Sequence, residues 1–221
     1  MTDSPFATDS DEVVQPNPPK ISLRECFAFP VRTPEGRRDI LIGGTLLLLP
    51  LIGWILNLGH RLGVVHRLHH DQQPIFHGFS PYGRTFVQGL KAASAIVIYL
   101  LPSVLLATLS YRLYLAGISQ LAALSASLCF LAFALGIFSL PGGMTYNAVY
   151  GDISYLYRPD RAFARARAGG RAYLHAWMIT LAAICVSSIG ILGLGVGFLY
   201  ASVWAWSVVG YAFSRALSLK V

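Results

Sequence analysis

Five of the six histidines fall between His60 and His77, in the stretch GHRLGVVHRLHHDQQPIFHG. His66, His69 and His70 stand at i, i+3 and i+4 on one helical face, where neutral imidazoles one turn apart can share a divalent ion. These three are the candidate metal ligands, and the site would be a simple one at a surface. With Asp71 close behind, they are also the groups on which a membrane-surface enzyme could draw. The other chemically loaded feature is positive charge. Seventeen Arg and Lys oppose ten acids for a net charge of +7, and arginines crowd the same histidine stretch and YRPDRAFARARAGGRAY. Arg61, Arg67, Arg161, Arg165, Arg167 and Arg171 are therefore the candidate contacts to anionic headgroups.

Each catalytic reading meets an obstacle elsewhere in the chain. His-x-x-His-His resembles one histidine box of the membrane di-iron desaturases and hydroxylases, but those enzymes need three boxes and only His175 lies outside the cluster. The His66 to Asp71 spacing and Pro34-Glu35-Gly36 are similar to two blocks of the glycerolipid acyltransferases. Here the order is reversed, and there is no room for the soluble α/β domain that carries them. The apolar segments hold no acid or lysine; their polar groups are such residues as Asn57, Tyr99, Ser103, Ser187 and Ser188. Proton-coupled transport and intramembrane hydrolysis usually depend on ionisable groups at that depth. The reading is a protein with no catalytic residue and no cofactor. Cys26, Cys129 and Cys185 are odd in number and widely spaced, as packing residues would be, and fit neither a disulfide framework nor a zinc pattern.

The elements that must carry these residues are read from charge-free gaps. No charged side chain occurs between Asp39 and His60, Lys91 and Arg112, Arg112 and Asp152, or Arg171 and Arg215. A hydrocarbon core takes roughly 20 apolar residues per spanning helix, so the longest gaps must each turn back. Five hydrophobic segments result, at about 40–59, 92–111, 119–140, 174–191 and 195–214. Lipid offers backbone groups no partner, and the runs are continuous rather than alternating, so an all-α polytopic membrane domain over 21–221 is expected. Two basic interfacial helices are expected at about 60–72 and 157–173, with Leu62, Val64, Val65 and Leu68 dipping inward. Residues 1–20, with four acids and four prolines, read as a disordered tail, and no cleaved signal is expected.

The first segment is of a different kind. Pro50 at its centre removes a backbone bond and presses on the carbonyl of Leu46, while Gly43, Gly44 and Gly53 loosen both arms. Thr33 and Pro34 supply a cap and a first-turn residue for the entering arm. If this segment spans, the basic residues divide eleven to six between the two faces; if it dips and returns, they divide sixteen to one. A re-entrant wedge is thus set against a kinked span. Either way the C-terminus is expected in the cytoplasm, of a bacterial inner membrane or of an internal membrane such as a thylakoid. Fourteen arginines against three lysines fit a GC-rich bacterial genome.

GRTFVQGL at 83–90 and GRAYLHAW at 170–177 match in residue type and each enter a two-helix hairpin, as an internal duplication would. Gly190, Gly193, Gly195 and Gly197, with Ala132, Ala134 and Gly136, would let helix backbones approach closely. The stretches CFAFPVRTPEGRRDILIGGTLLLLPLIGWILNLGHRLGVVHRL, QQPIFHGFSPYGRTFVQGLK and YNAVYGDISYLYRPDRAFARARAGGRAYLHAWMITL resemble, in order and spacing, an uncharacterised archaeal and bacterial multi-pass membrane family, domain of unknown function four-zero-one-three. The corresponding parts are Phe27 to Pro30, Ile42 to Pro50, Gly59, Phe86 to Lys91 and Phe163; the histidine crowding is a departure from the family. The resemblance implies a membrane domain and no assigned reaction. Three functions remain: a non-catalytic scaffold, assembly or accessory factor with a membrane-protein partner or a second copy; a transporter or channel subunit with a route between two hairpins; and a membrane-surface metal or headgroup enzyme. Anionic lipid accounts for the basic patches without nucleic acid.

Overall fold

A computed structural model describes residues 21–70, 75–76, 78–192 and 195–217, and every regular element among them is helical. The expected tail over 1–20 lies outside the described residues, as do Asp71, His77 and Gly193. In chain order the helices are α1 (Leu23–Ala28), α2 (Pro34–Leu46), α3 (Ile52–His69), α4 (Tyr82–Leu115), α5 (Ser119–Tyr150), α6 (Ile153–Tyr157), α7 (Pro159–Ile189) and α8 (Val196–Leu217). Four of them, α4, α5, α7 with the 3₁₀ turn that follows it, and α8, are long and apolar enough to cross a membrane.

The first hydrophobic segment is two helices. Thr33 caps α2 by accepting the Gly36 N–H at 3.1 Å, and Pro34 occupies the first turn. The helix stops at Leu46 because Pro50 cannot donate the next bond to that carbonyl; Leu49 N–H takes it instead, in a tighter turn at 2.9 Å. The chain reverses through Leu51, which holds a left-handed φ of 65°. The returning arm then packs back on the entering one. A Cβ on Gly53 would overlap the Leu46 carbonyl. Asn57 Nδ2 donates to Gly43 O at 3.0 Å and to Gly53 O at 2.8 Å. At the open end, His60 Nε2 lies 2.8 Å from Asp39 Oδ2, both residues buried. Three contacts thus close an antiparallel helical hairpin whose tip, Leu48 to Ile52, leaves its side chains more than half exposed.

That hairpin is held on both flanks. Gly59 and Gly89 bring α3 and α4 into backbone contact, since a Cβ on either would strike the other helix. On the other side α2 lies along α8, where Gly44 faces the Tyr200 ring. Before it, α1 crosses the last turns of α8: Trp204 Nε1 donates to Phe27 O at 3.2 Å, Phe29 stacks on Tyr211, and the Tyr211 hydroxyl donates to Glu25. Arg215 approaches the same carboxylate at 3.8 Å.

The remaining helices form two hairpins, α4 with α5 and α7 with α8. Bonds across the first run from Ser110 Oγ to Ala122 O at 2.8 Å, Ser125 Oγ to Leu106 O at 2.9 Å and Cys129 Sγ to Ser103 O at 3.2 Å. Hydroxyl bonds to the partner helix's backbone are a common interhelical tie where both helices are apolar. The second is closed at Gly190 and Gly197, whose backbones touch, as the expectation of close approach required for those two residues. The hairpins meet where the second half of α5 packs on α7: the Tyr173 hydroxyl donates to Phe138 O, and Phe138 rests on Tyr173 and Trp177. Large apolar side chains on the first half of α5, such as Phe130, Leu131 and Phe133, remain exposed.

Two basic stretches differ from expectation in form. The region 60–72 is not a separate interfacial helix; α3 runs unbroken from Ile52 to His69, and Leu62, Val64 and Val65 are buried by its packing. The region 157–173 divides between the end of α6 and the start of α7, which bends at Gly170 (φ 52°, ψ −132°). That bend also bears on the matched octapeptides. The first copy opens α4 one residue after its start, whereas the second begins at the bend inside α7, so each copy precedes a long apolar run.

Candidate functional site

The histidines serve the end of α5. His66 Nδ1 lies 2.8 Å from Ala148 O and His70 Nε2 lies 3.3 Å from Val149 O. A carbonyl only accepts, so each ring nitrogen carries a proton. These bonds meet two of the carbonyls that a helix C-terminus leaves unpaired, and the favourable end of the helix dipole reinforces them. The same terminus is finished by Gly151, whose φ of 70° aims its N–H at Asn147 O. The rings of His66 and His70 lie 4.5 Å apart, and His69 sits edge-on to His70 and Tyr150. The helical face foreseen for these three residues exists, and two of them engage backbone. Among the described residues no group of three His, Cys, Asp or Glu is arranged to hold a metal ion.

Beside them, α3, α4 and the end of α5 enclose a polar cavity of about 730 Å³, lined among others by His66, Arg67, Arg84, Gln88 and Lys91. Among the described residues its lining contains no carboxylate, and Arg67, Arg84 and Lys91 there favour anions. Arg67 is half-buried there.

The arginines of α7 are less uniform than their row in the sequence. Arg161 donates to Ser154 Oγ at 2.6 Å, and Arg165 lies over the Tyr146 ring at 4.4 Å while donating to Tyr155 Oη at 3.1 Å. Arg167 and Arg171 are exposed. Around them, the Ser154 backbone and side chain hold Asp152 below the usual carboxylate range, and the Arg158 guanidinium does the same for Asp160. Ala162 and Ala166 form the buried face of this part of α7, against Gly142 and Gly143 of α5.

Arg61 goes elsewhere. Its stem lies over Gly210 of α8, and it reaches into an apolar groove of about 370 Å³ between α5, α7 and α8. Ser187 and Ser188 line that groove, whereas the other polar residues singled out from the sequence are separate from it. Asn57 is bonded inside the first hairpin, Ser103 Oγ donates to Leu100 O at 2.7 Å, and Tyr99 is buried with its hydroxyl unpaired among the described residues. The Asp39 and His60 pair was not foreseen as a contact. Its signal was available: the two residues bound the first charge-free gap, with Pro50 midway. Phe79 stacks on the His60 ring at 4.3 Å, Arg38 Nε stands 4.0 Å from Asp39 Oδ1, and that oxygen has no hydrogen-bond partner among the described residues.

Architecture and composition together define a helical membrane protein, with four helices fit to cross a bilayer. A family model described as "Protein of unknown function (DUF4013)" matches residues 42–201, and the chain belongs to that family. No curated protein and no solved structure matches.

Proposed function

We propose that this is a non-catalytic multi-pass membrane protein that serves as a scaffold, assembly or accessory factor for a membrane complex. In this reading α4, α5, α7 and α8 span, the C-terminus is cytoplasmic, and the α2 and α3 hairpin is a re-entrant wedge. The wedge is supported by the 2.8 Å approach of His60 to Asp39. A straight helix of 21 residues would hold its ends about 32 Å apart, on opposite faces of the hydrocarbon core. The exposed tip leucines then meet lipid, and the basic residues on α1 to α3 and α7 gather on one face, as positive-inside sorting favours.

One observation carries the non-catalytic reading: many of the polar side chains within the helical body are committed to main-chain carbonyls. Asn57, Ser110, Ser125, Tyr173 and Thr180 each donate to backbone, within or between helices. Such bonds fix helix positions and leave few groups for substrate. The exposed apolar flank of α5 supplies surface for a partner helix or a second copy. Affinity purification in mild detergent tests the reading. One stoichiometric membrane partner is expected, and a chain that stays a lone monomer in native lipid would contradict it.

A transport role draws on one specific observation, the groove lined by Ser187 and Ser188. Flux of an anion through purified protein in vesicles would favour that role over the first. The metal or headgroup enzyme would require His66 and His70 to leave the α5 carbonyls, and metal analysis of wild type beside a His66→Ala, His70→Ala variant checks it.

A further inference from the structure

The groove between α5, α7 and α8 has the form of a trough with a charged end. Along α8 it extends from Phe198 to Phe213, about 22 Å at the helical rise. Its walls are apolar, with Leu140, Trp177, Ile184 and Trp206 among them. Arg61 enters near Phe213, with its Cγ 3.4 Å from where a Cβ on Gly210 would sit. Two donors are unsatisfied there. Arg61 is half-buried and has no ion pair or hydrogen bond among the described residues, and the groove's lining contains no carboxylate. The indole N–H of Trp177 is buried with no acceptor in good hydrogen-bonding geometry among the described residues, and its ring lies 5.6 Å from that of Phe213.

A cation withdrawn from water without a counter-charge is costly, and an anion supplied by a ligand removes that cost. The guanidinium fork suits a phosphate oxygen pair, and the apolar trough suits a hydrocarbon chain. Both demands are met by one kind of molecule that a bilayer holds in quantity. The geometry points to a specific site for one anionic phospholipid, its phosphate on Arg61 and one acyl chain along α8 toward Phe198. This site is distinct from the exposed arginines of α7, which would meet headgroups in bulk. It goes beyond the accessory role and can fail without it, since a partner can be recovered whether or not the groove holds lipid.

The test is thermal unfolding of the full chain in mild detergent with added dioleoyl phosphatidylglycerol, dioleoyl phosphatidylcholine or inorganic phosphate. Phosphatidylglycerol at about 100 times its Kd is expected to raise Tm by roughly 5–10 °C. Phosphatidylcholine and inorganic phosphate should not. Arg61→Gln should abolish the shift, and Arg32→Gln, at an exposed arginine that does not line the groove, should keep it. Equal shifts with phosphatidylcholine or with phosphate alone would overturn the proposal, as would a full shift in Arg61→Gln or its loss in Arg32→Gln. A second measurement needs no change at Arg61. Phosphatidylglycerol with brominated acyl chains should quench wild-type tryptophan emission, with unbrominated phosphatidylglycerol but not phosphatidylcholine reversing it, and a Trp177→Phe, Trp206→Phe variant should lose most of the effect. Quenching that phosphatidylcholine reverses equally would place lipid at random on the protein surface and sink the site.

Discussion

Asn57 is the residue on which the first hairpin most depends, because one amide joins a carbonyl from each arm. Asn57→Leu leaves both carbonyls buried without that donor, a cost of about 1–3 kcal/mol. A fall in Tm of several degrees is expected by thermal unfolding in detergent, with the long helices retaining their circular dichroism. His60→Ala acts at the open end and leaves Asp39 Oδ2 buried without that hydrogen-bond partner, at a cost of about 1–3 kcal/mol. Cys26 makes a separate prediction. Burial, then the neighbouring Glu25 charge, pushes its thiol from 9.0 up to about 11. The thiolate is the reactive form, so with Cys129 and Cys185 replaced by serine, iodoacetamide should modify Cys26 slowly at pH 8 and faster as pH rises toward 11. Rapid modification at pH 8 would show that α1 does not bury it against α7 and α8. At this scale the sequence was partly legible. The one-face spacing of His66, His69 and His70 was visible, but the acceptors of His66 and His70 on α5 lie about 80 positions away, beyond any local pattern.

Among the elements, the break at Pro50 was readable because proline's missing donor acts locally, and the cap at Thr33 for the same reason. The pairing of Asp39 with His60 was not, since residues 21 apart acquire a relation only once the turn between them is placed. The interfacial helix expected at 60–72 failed to separate from its neighbour because nothing breaks the chain between Asn57 and His69: Gly59 and Gly63 lie inside α3, and Gly59 is used for contact with α4. Gly59→Val and Gly89→Val should each force α3 from α4. Either should cost several degrees in Tm and expose the α3 face to proteolysis, whereas Gly83→Ala, in open space, should change little.

For the molecule as a whole, charge-free gaps announced the four long helices, which the structure extends at both ends of α4, to Tyr150 in α5, back to Pro159 in α7 and to Leu217 in α8. The apolar runs fix where a helix meets lipid but not how far it continues into polar sequence, as α5 does to Tyr150. How the two hairpins join was not legible, because Gly142, Gly143 and Phe138 look like any other apolar residues in α5. The central claim is that the first apolar segment enters and leaves the bilayer on one side. In a chain lacking its natural cysteines, Glu35→Cys, Ala116→Cys and Ile153→Cys can be labelled with a membrane-impermeant maleimide in intact and in permeabilised cells. The account predicts that Ala116→Cys reacts in intact cells, while Glu35→Cys and Ile153→Cys react only after permeabilisation. Labelling of Glu35→Cys together with Ala116→Cys in intact cells would contradict it, because the segment between Asp39 and His60 would then span.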